Sequence, residues 1–445
     1  MKAIEKATDK YRQLILDAER QIWSTPETGF KEVETSAYLE KEMKKLGYDL
    51  IKAGDIPGFY TVIDTGREGP EVLVLAELDS VICSAHPECN KQTGAVHSCA
   101  HHAQCAALLG VAGILKEEGV LDGLSGRIRL CFVPAEELLE IEYRMDLRKK
   151  GVIKYLEGKS EFLSRGYFDG VDMAFMVHSS SSFSVRLGSV GAISKNVIYK
   201  GKSSHAGGSP QDGINALYAA TCGLNAVNAI RETFVEKDIM RVHPIITHGG
   251  DMVNAIPHQV KIESYVRGKT FDAIVKENKK INRAFIGSAL SLGANIEIID
   301  TPAFAPLLND KGMMELARDA ASISMPEEKF NYDPNAIGSG STDMGDLSCK
   351  MPVVHPNDGG RIGTSHGADI YVNDPERCCV KSAKWQVTML KLLLENGAER
   401  AKSILANFKP LFKSKEEFLA FQDSLNCEGN RIEYLDDGTA KIKLD

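Results

Sequence analysis

The sequence predicts an α/β protein: a larger domain with a mainly parallel sheet flanked by helices, interrupted by a smaller ferredoxin-like α+β domain. Three observations lead there. The runs EVLVLAELD, RIRLCFVPAEE and VDMAFMVH are compact and apolar, as buried strands are, and the apolar helical stretch AQCAALLGVAGILKEEG separates the first two. Strand, helix, strand is the order that gives a parallel sheet with helices on its faces. Residues 187–305 instead read β-α-β-β-α-β, the split arrangement of a small ferredoxin-like domain. The length, 445 residues, is about three times the roughly 150 expected of one domain.

Taken in order, residues 4–22 and 35–46 carry apolar positions at helical spacing, with Thr25 or Thr35 as caps. The strand and helix runs above follow. In the middle segment, GAISKNVIYKG reads as a strand, DGINALYAATCGLNAVNAIRETF as a helix, and RVHPIITH and HQVKIESYVRG as strands. FDAIVKENKKINRAFIGSALSLG is then a helix and ANIEIID a last strand. Residues 306–400 return to helix and short-strand signals, closing with the amphipathic AKWQVTMLKLLLENG. The expected organisation is 1–186 and 306–400 as one split domain, 187–305 inserted in it, and 401–445 an appendage of unassigned role with a turn at Asp436, Asp437 and Gly438.

Composition narrows the class. Apolar residues make up 43% and charged residues 26%, and the net charge is -8, which argues against a nucleic-acid binder or a disordered chain. No apolar run approaches the ~18 to 20 residues of a membrane span, and the first residues carry charges where a signal peptide has its apolar stretch, so a cytoplasmic location is expected. Ten cysteines without a regular framework read as reduced thiols. The adjacent Cys378 and Cys379 are not spaced as a redox pair and read as packing residues.

In open α/β sheets, ligands bind beyond the carboxyl ends of the strands. Here those ends are polar: Glu77 and Asp79, then Glu136 and Glu137, then His178 before four serines, with HSCAHHAQ opening the intervening helix. If the strands are parallel neighbours, a thiol, imidazoles and carboxylates meet at one edge. That set suits a transition metal, most naturally zinc, while manganese, cobalt or iron also fit. Singly, each has a plainer reading: Cys99 as a small buried hydrophobe, Glu136 and Glu137 as a solvated helix start, His178 as a core histidine. His97 and His102 keep that plainer reading, with His102 a spare ligand candidate. Cys99 and His101, two apart, share no face of a helix, so as ligands they must sit in the turn before it.

The joint pattern resembles the metal-dependent aminoacylase and carboxypeptidase superfamily. HSCAHH, FVPAEE, FMVHSS, GKSSHA, GSGSTDMGD and GTSHGADI occur in the family's order over roughly residues 5–400. The cysteine-ligand branch, with hippurate, indoleacetyl-amino-acid and aminobenzoyl-glutamate hydrolases, is most similar. The resemblance implies two divalent metal ions, zinc or manganese, with Cys99 bridging and His101, Glu137, His178 and His366 as further ligands. It implies Glu136 as general base and Asp79 as a carboxylate behind the ligands, with Glu77 where related branches carry a histidine. In the inserted domain it implies His205 as an oxyanion donor, reaching the active site of a partner subunit, and Asn254 and Arg267 as substrate-binding groups. Ser339 and Gly340 would line the substrate cleft. An arginine fork suits a carboxylate. Two departures stand out: Ala100 where the family has glycine, and His102 where it has aspartate or asparagine.

What the resemblance implies is a metal-dependent amidohydrolase that cleaves N-acyl amino acids or dipeptide-like substrates, working as a homodimer through the inserted lid domain. The rivals are a non-catalytic metal-binding subunit, kept open by Ala100 and His102, and an N-acyltransferase on the same fold. The segment between Glu140 and Gly166 and loops around His248 and Asn335 are expected to shape the pocket.

Overall fold

The computed structural model describes residues 1–444. The chain separates into two compact units: Met1–Gly188 with Leu307–Ile337 and Thr342–Lys415, and Ser189–Pro306 with Gly338–Ser341 and the residues from Glu416 on.

The first unit is built on a six-stranded sheet in the order Ile51–Lys52, Phe59–Asp64, Arg127–Val133, Glu71–Glu77, Met173–Phe175, Val353–Val354. The last four run parallel to one another, and Phe59–Asp64 and Ile51–Lys52 are the antiparallel edge. Every residue of Glu71–Glu77 is buried, because helices cover both faces of the sheet, which is why this strand reads as a continuous apolar run rather than an alternating one. Its core is shared by Ile15 and Ile22 of helix Lys2–Trp23, by helix His101–Leu115, which is buried all round, and by Met313, Leu316, Trp385 and Leu390 of two later helices. Helices Lys2–Trp23 and His101–Leu115 pack closely because the latter carries glycine at the crossing. A Cβ on Gly110 would lie 2.5 Å from Ile15 Cδ1, and one on Gly113 2.7 Å from the Tyr11 ring.

The second unit is an antiparallel sheet in the order Arg241–Val242, Gln259–Gly268, Gly191–Lys200, Asn295–Phe304, Cys427–Asn430, with Ile245–His248 also paired to Gln259–Gly268. Burial alternates residue by residue along Gln259–Gly268, so one face packs under the helices Ala216–Arg231 and Phe271–Ser291. Both helices are capped from the sequence: Asn215 accepts the N–H groups of Leu217 and Tyr218, and Thr270 that of Ala273. The β-α-β-β-α-β order is the expected one; the fifth strand is supplied from the end of the chain. Cys427–Asn430 pairs with Glu297–Asp300, and the hairpin Ile432–Tyr434 with Ala440–Ile442 buries Ile432 in the core of this unit. Helix Glu399–Asn407, by contrast, belongs to the first unit. His248 and Asn335, expected in loops, stand in strands Ile245–His248 and Asn331–Gly338.

Among the described residues, no helix is long and apolar enough to cross a membrane.

Candidate active site

The parallel strands of the first unit finish at one edge, and the polar residues that follow them meet there. Glu77 ends its strand opposite Val133, which ends the neighbouring one, so Asp79 and the Pro134–Glu137 turn leave the sheet together. His178, three residues past Phe175, donates its backbone N–H to Pro356 O at 2.9 Å. Cys99 lies in the turn before helix His101–Leu115, and His101 is the first residue of that helix. Ala100 between them is left-handed, φ 69°, which breaks the helical spacing and lets residues two apart converge.

Potential ligand atoms fall into three groups, each within 4.8 Å of one another: Cys99, His101 and His178; Cys99, Glu137 and His366; and Glu77, His101 and Glu136. Cys99 is common to the first two. Cys99 Sγ is 3.5 Å from His178 Nε2, and His366 Nε2 is 2.8 Å from Glu137 Oε1. His366 arrives from far along the chain and is held by its own backbone N–H on Ser98 O at 3.0 Å. Three of the eight described non-glycine residues with positive φ stand at this edge: Ala100, Ala135 at 57°, directly before Glu136, and His366 itself at 60°. Such strain persists only where surrounding structure imposes it, and it is concentrated at functional sites.

The histidines are oriented from behind. His101 Nδ1 donates to Asp79, with Oδ1 and the backbone oxygen both at 3.0 Å, while Asp79 Oδ2 accepts the N–H of Glu137 at 2.8 Å. His178 Nδ1 donates to Ser179 O at 2.8 Å. Both rings therefore present Nε2 to the cluster. His101 Nε2 is buried and has no hydrogen-bond partner among the described residues. A ring nitrogen left open beside a thiol and carboxylates, with the opposite nitrogen on a carboxylate, fits a metal ligand.

Charge is strongly shifted here. Burial and the Glu137 carboxylate push the Cys99 thiol up, but His101 and His178 outweigh them and bring it down to about 6. Burial also raises Glu137, yet its hydrogen bond and charge interaction with His366 bring it to about 2. Hydrogen bonds to Cys99 and Glu137 lift His366 to about 11. Glu136 goes the other way: burial, then the carboxylates of Glu77, Glu137 and Asp343, hold it well above the usual carboxylate range. One carboxylate of the adjacent pair is thus an anion suited to a cation, and the other a proton acceptor.

His102 stays outside the cluster, 3.2 Å from Glu19 and edge-on to Trp23, and His97 lies against it. Several residues of the site carry no sequence signal. Lys159 is fully buried on Glu77, Gln104 donates to Glu77 at 3.0 Å, and the Arg144 guanidinium holds the backbone oxygen of Glu137. Lys159 and Arg144 lie in stretches whose polarity looks like solvated surface, and only the fold turns them inward, while Gln104 is a single amide in a helix that is apolar after it.

Within the second unit, His205 and Asn254 are neighbours: His205 bridges Ala255, and Ala206 donates to Asn254 O at 2.9 Å. His205 Nδ1 accepts the N–H groups of Gly207 and Gly208 at 3.1 and 2.8 Å, which leaves Nε2–H as its donor. Arg267 lies 5.2 Å over the Tyr265 ring, and Ser339 and Gly340 are exposed.

The family model described as peptidase family M20/M25/M40 matches residues 73–392. An N-acetyl-L-cysteine deacetylase of Bacillus subtilis (strain 168) is 32% identical over 327 residues, covering 69% of this chain and 72% of that one. Two solved structures share the fold. An aminobenzoyl-glutamate utilization protein from Klebsiella pneumoniae has TM-score 0.65 at 18% identity, over 88% of this chain and 99% of that one. A dinuclear metal binding peptidase from Bacillus subtilis has TM-score 0.61 at 19% identity, over 87% and 99%.

Proposed function

This chain belongs to peptidase family M20/M25/M40, a metal-dependent hydrolase acting on amide bonds, and on that premise we propose that it cleaves N-acyl amino acids or dipeptide-like substrates at a two-cation site. The observation that carries the reading is Cys99, shared by the ligand triads with His101 and His178 and with Glu137 and His366. The names of the relatives, a deacetylase of an N-acyl amino acid and an aminobenzoyl-glutamate protein, point to the same substrate class.

Bound there, two divalent cations, zinc or manganese, would supply Lewis acidity, lowering the pKa of a water and polarising the acyl carbonyl. The chain's own residues do the rest. Glu136, with its raised proton affinity, takes the proton of the attacking water at a carboxylate oxygen and delivers it to the leaving amine nitrogen. Asp79 fixes His101 and the Glu137 backbone in one arrangement, so the ligand set is preorganised. In this reading His205, with Nε2–H as its donor, stabilises the developing oxyanion in the active site of a partner subunit, Arg267 and Asn254 bind substrate oxygens, Arg267 taking the carboxylate, and Ser339 and Gly340 line the substrate cleft. We extend the reading to a homodimer through the second unit and a reducing, cytoplasmic setting in which Cys99 stays reduced.

The experiment is elemental analysis combined with turnover on a panel of N-acyl amino acids and dipeptides. Release of a carboxylic acid and an amino acid, abolished by chelator and restored by zinc or manganese, is the expected result. Bound metal with no turnover of any amide would leave the chain a metal-binding subunit. Acyl transfer to added amine in preference to water would make it an acyltransferase.

A further inference from the structure

Lys159 is a fully buried lysine at the edge of the ligand cluster, and neither the proposed ligands nor the proposed base account for it. Its Nζ lies 2.6 Å from Glu77 Oε1 and also bonds Asp343 Oδ1, while its backbone N–H donates to Asp343 Oδ2 at 2.9 Å. The next residue repeats the link: Ser160 Oγ donates to Asp346 Oδ2 at 2.7 Å. The helix Gly158–Ser164 and the segment around Asp343 are thereby joined, and the ammonium group is fixed between two carboxylates.

Glu77 has the chemistry and the position of a ligand. Its carboxylate groups with His101 and Glu136, and Oε2 is 3.2 Å from His101 Nε2, the open ring nitrogen. A cation at His101 would therefore have two carboxylates of this group within reach, Glu77 and Glu136. What distinguishes Glu77 is that both of its oxygens are engaged, Oε1 by Lys159 and Oε2 by Gln104. A buried ammonium at 2.6 Å is a strong competitor for a carboxylate, since the pair is desolvated and the lysine's charge is held between Glu77 and Asp343.

We propose that Lys159 is a positioning residue that withholds Glu77 from the metal ligand set, keeping the centre on Cys99, His101, Glu137, His178 and His366. The proposal rests on the two-cation reading above. Without the ammonium group, Glu77 swings onto a cation at His101, the coordination number rises, and the space for substrate oxygen beside Glu136 is filled.

The test is the absorption spectrum of the cobalt(II)-substituted enzyme, with the metal-free proteins first compared by near-ultraviolet circular dichroism. In Lys159→Met the visible ligand-field bands are expected to weaken, as they do when a carboxylate raises the coordination number, with kcat down about 10- to 100-fold at full metal content. Lys159→Met/Glu77→Gln is expected to return the spectrum to that of wild type, a reversal that a general loss of packing would not give. Glu77→Gln alone is expected to leave the spectrum unchanged, and because it keeps the lysine it remains informative if Lys159→Met does not fold. A wild-type spectrum in folded Lys159→Met, or an altered one in Glu77→Gln, overturns the proposal. A wild-type protein that binds cobalt without a thiolate charge-transfer band overturns Cys99 as the shared ligand on which the two-cation reading rests, and this proposal with it.

Discussion

The Nδ1 of His101 sits 3.0 Å from Oδ1 of Asp79, and the second oxygen of the same carboxylate takes the backbone N–H of Glu137. One side chain thus sets both the face that His101 presents and the place where the Pro134–Glu137 turn stops. Asp79→Asn preserves the shape but weakens the acceptor that fixes the His101 ring. Metal affinity is expected to fall about 10- to 100-fold, measured by competition with a chelator.

Ala100 is left-handed, at φ 69°, between two proposed ligands. Glycine meets no Cβ clash in that region, so Ala100→Gly is expected to stabilise the protein by about 1 kcal/mol. Ala106→Gly, within helix His101–Leu115, is expected to cost about 1 kcal/mol or more. Urea denaturation of the two variants checks the difference in sign.

The thiol of Cys99 is brought down to about 6, whereas burial raises Cys105, Cys131, Cys349 and Cys379, Cys131 to about 12. In the metal-free protein an ultraviolet thiolate signal is expected to titrate near 6 and to vanish in Cys99→Ser. The sign for stability follows from the depressed value. Between about 6 and the ordinary thiol value of 9.0 the unfolded chain holds the extra proton, so this group's contribution grows as pH rises through that window and is lost as pH falls through about 6. The pH dependence of the denaturation midpoint should flatten there in Cys99→Ser.

Ile432 lies in the core of the second unit although it comes from the last part of the chain. Ile432→Ala is expected to cost about 2–5 kcal/mol, read as a lowered denaturation midpoint. An exposed residue of the same hairpin, such as Glu433, is expected to change stability by less than about 0.5 kcal/mol when replaced by alanine.

How much of this is legible in the sequence differs by residue. Glu77, Glu136, Glu137 and His178 can be found because each follows an apolar run, and polar groups at the end of a buried strand are conspicuous. Cys99 and His101 can be found by their spacing against the helix that follows. Lys159 cannot: in EGKSEF it is a lysine among polar residues, and its burial depends on Asp343, 184 positions away. The strand Asn331–Gly338 is hidden for a different reason. Its Asp-Pro-Asn has the composition of a turn, and Asp333 does accept the N–H groups of Asn335 and Ala336, but sheet pairing keeps the segment extended. Cys427–Asn430 has no alternation to mark it, and only the free edge of Asn295–Phe304 makes it a strand.

The most direct test of the central claim is the turnover number of Glu136→Gln beside wild type on the best N-acyl amino acid of the panel, with metal content measured in both. The expected result is equal metal content and a kcat lower by about 10²- to 10⁴-fold. Near-wild-type turnover at equal metal content would contradict it, because the proton would then be carried by another group.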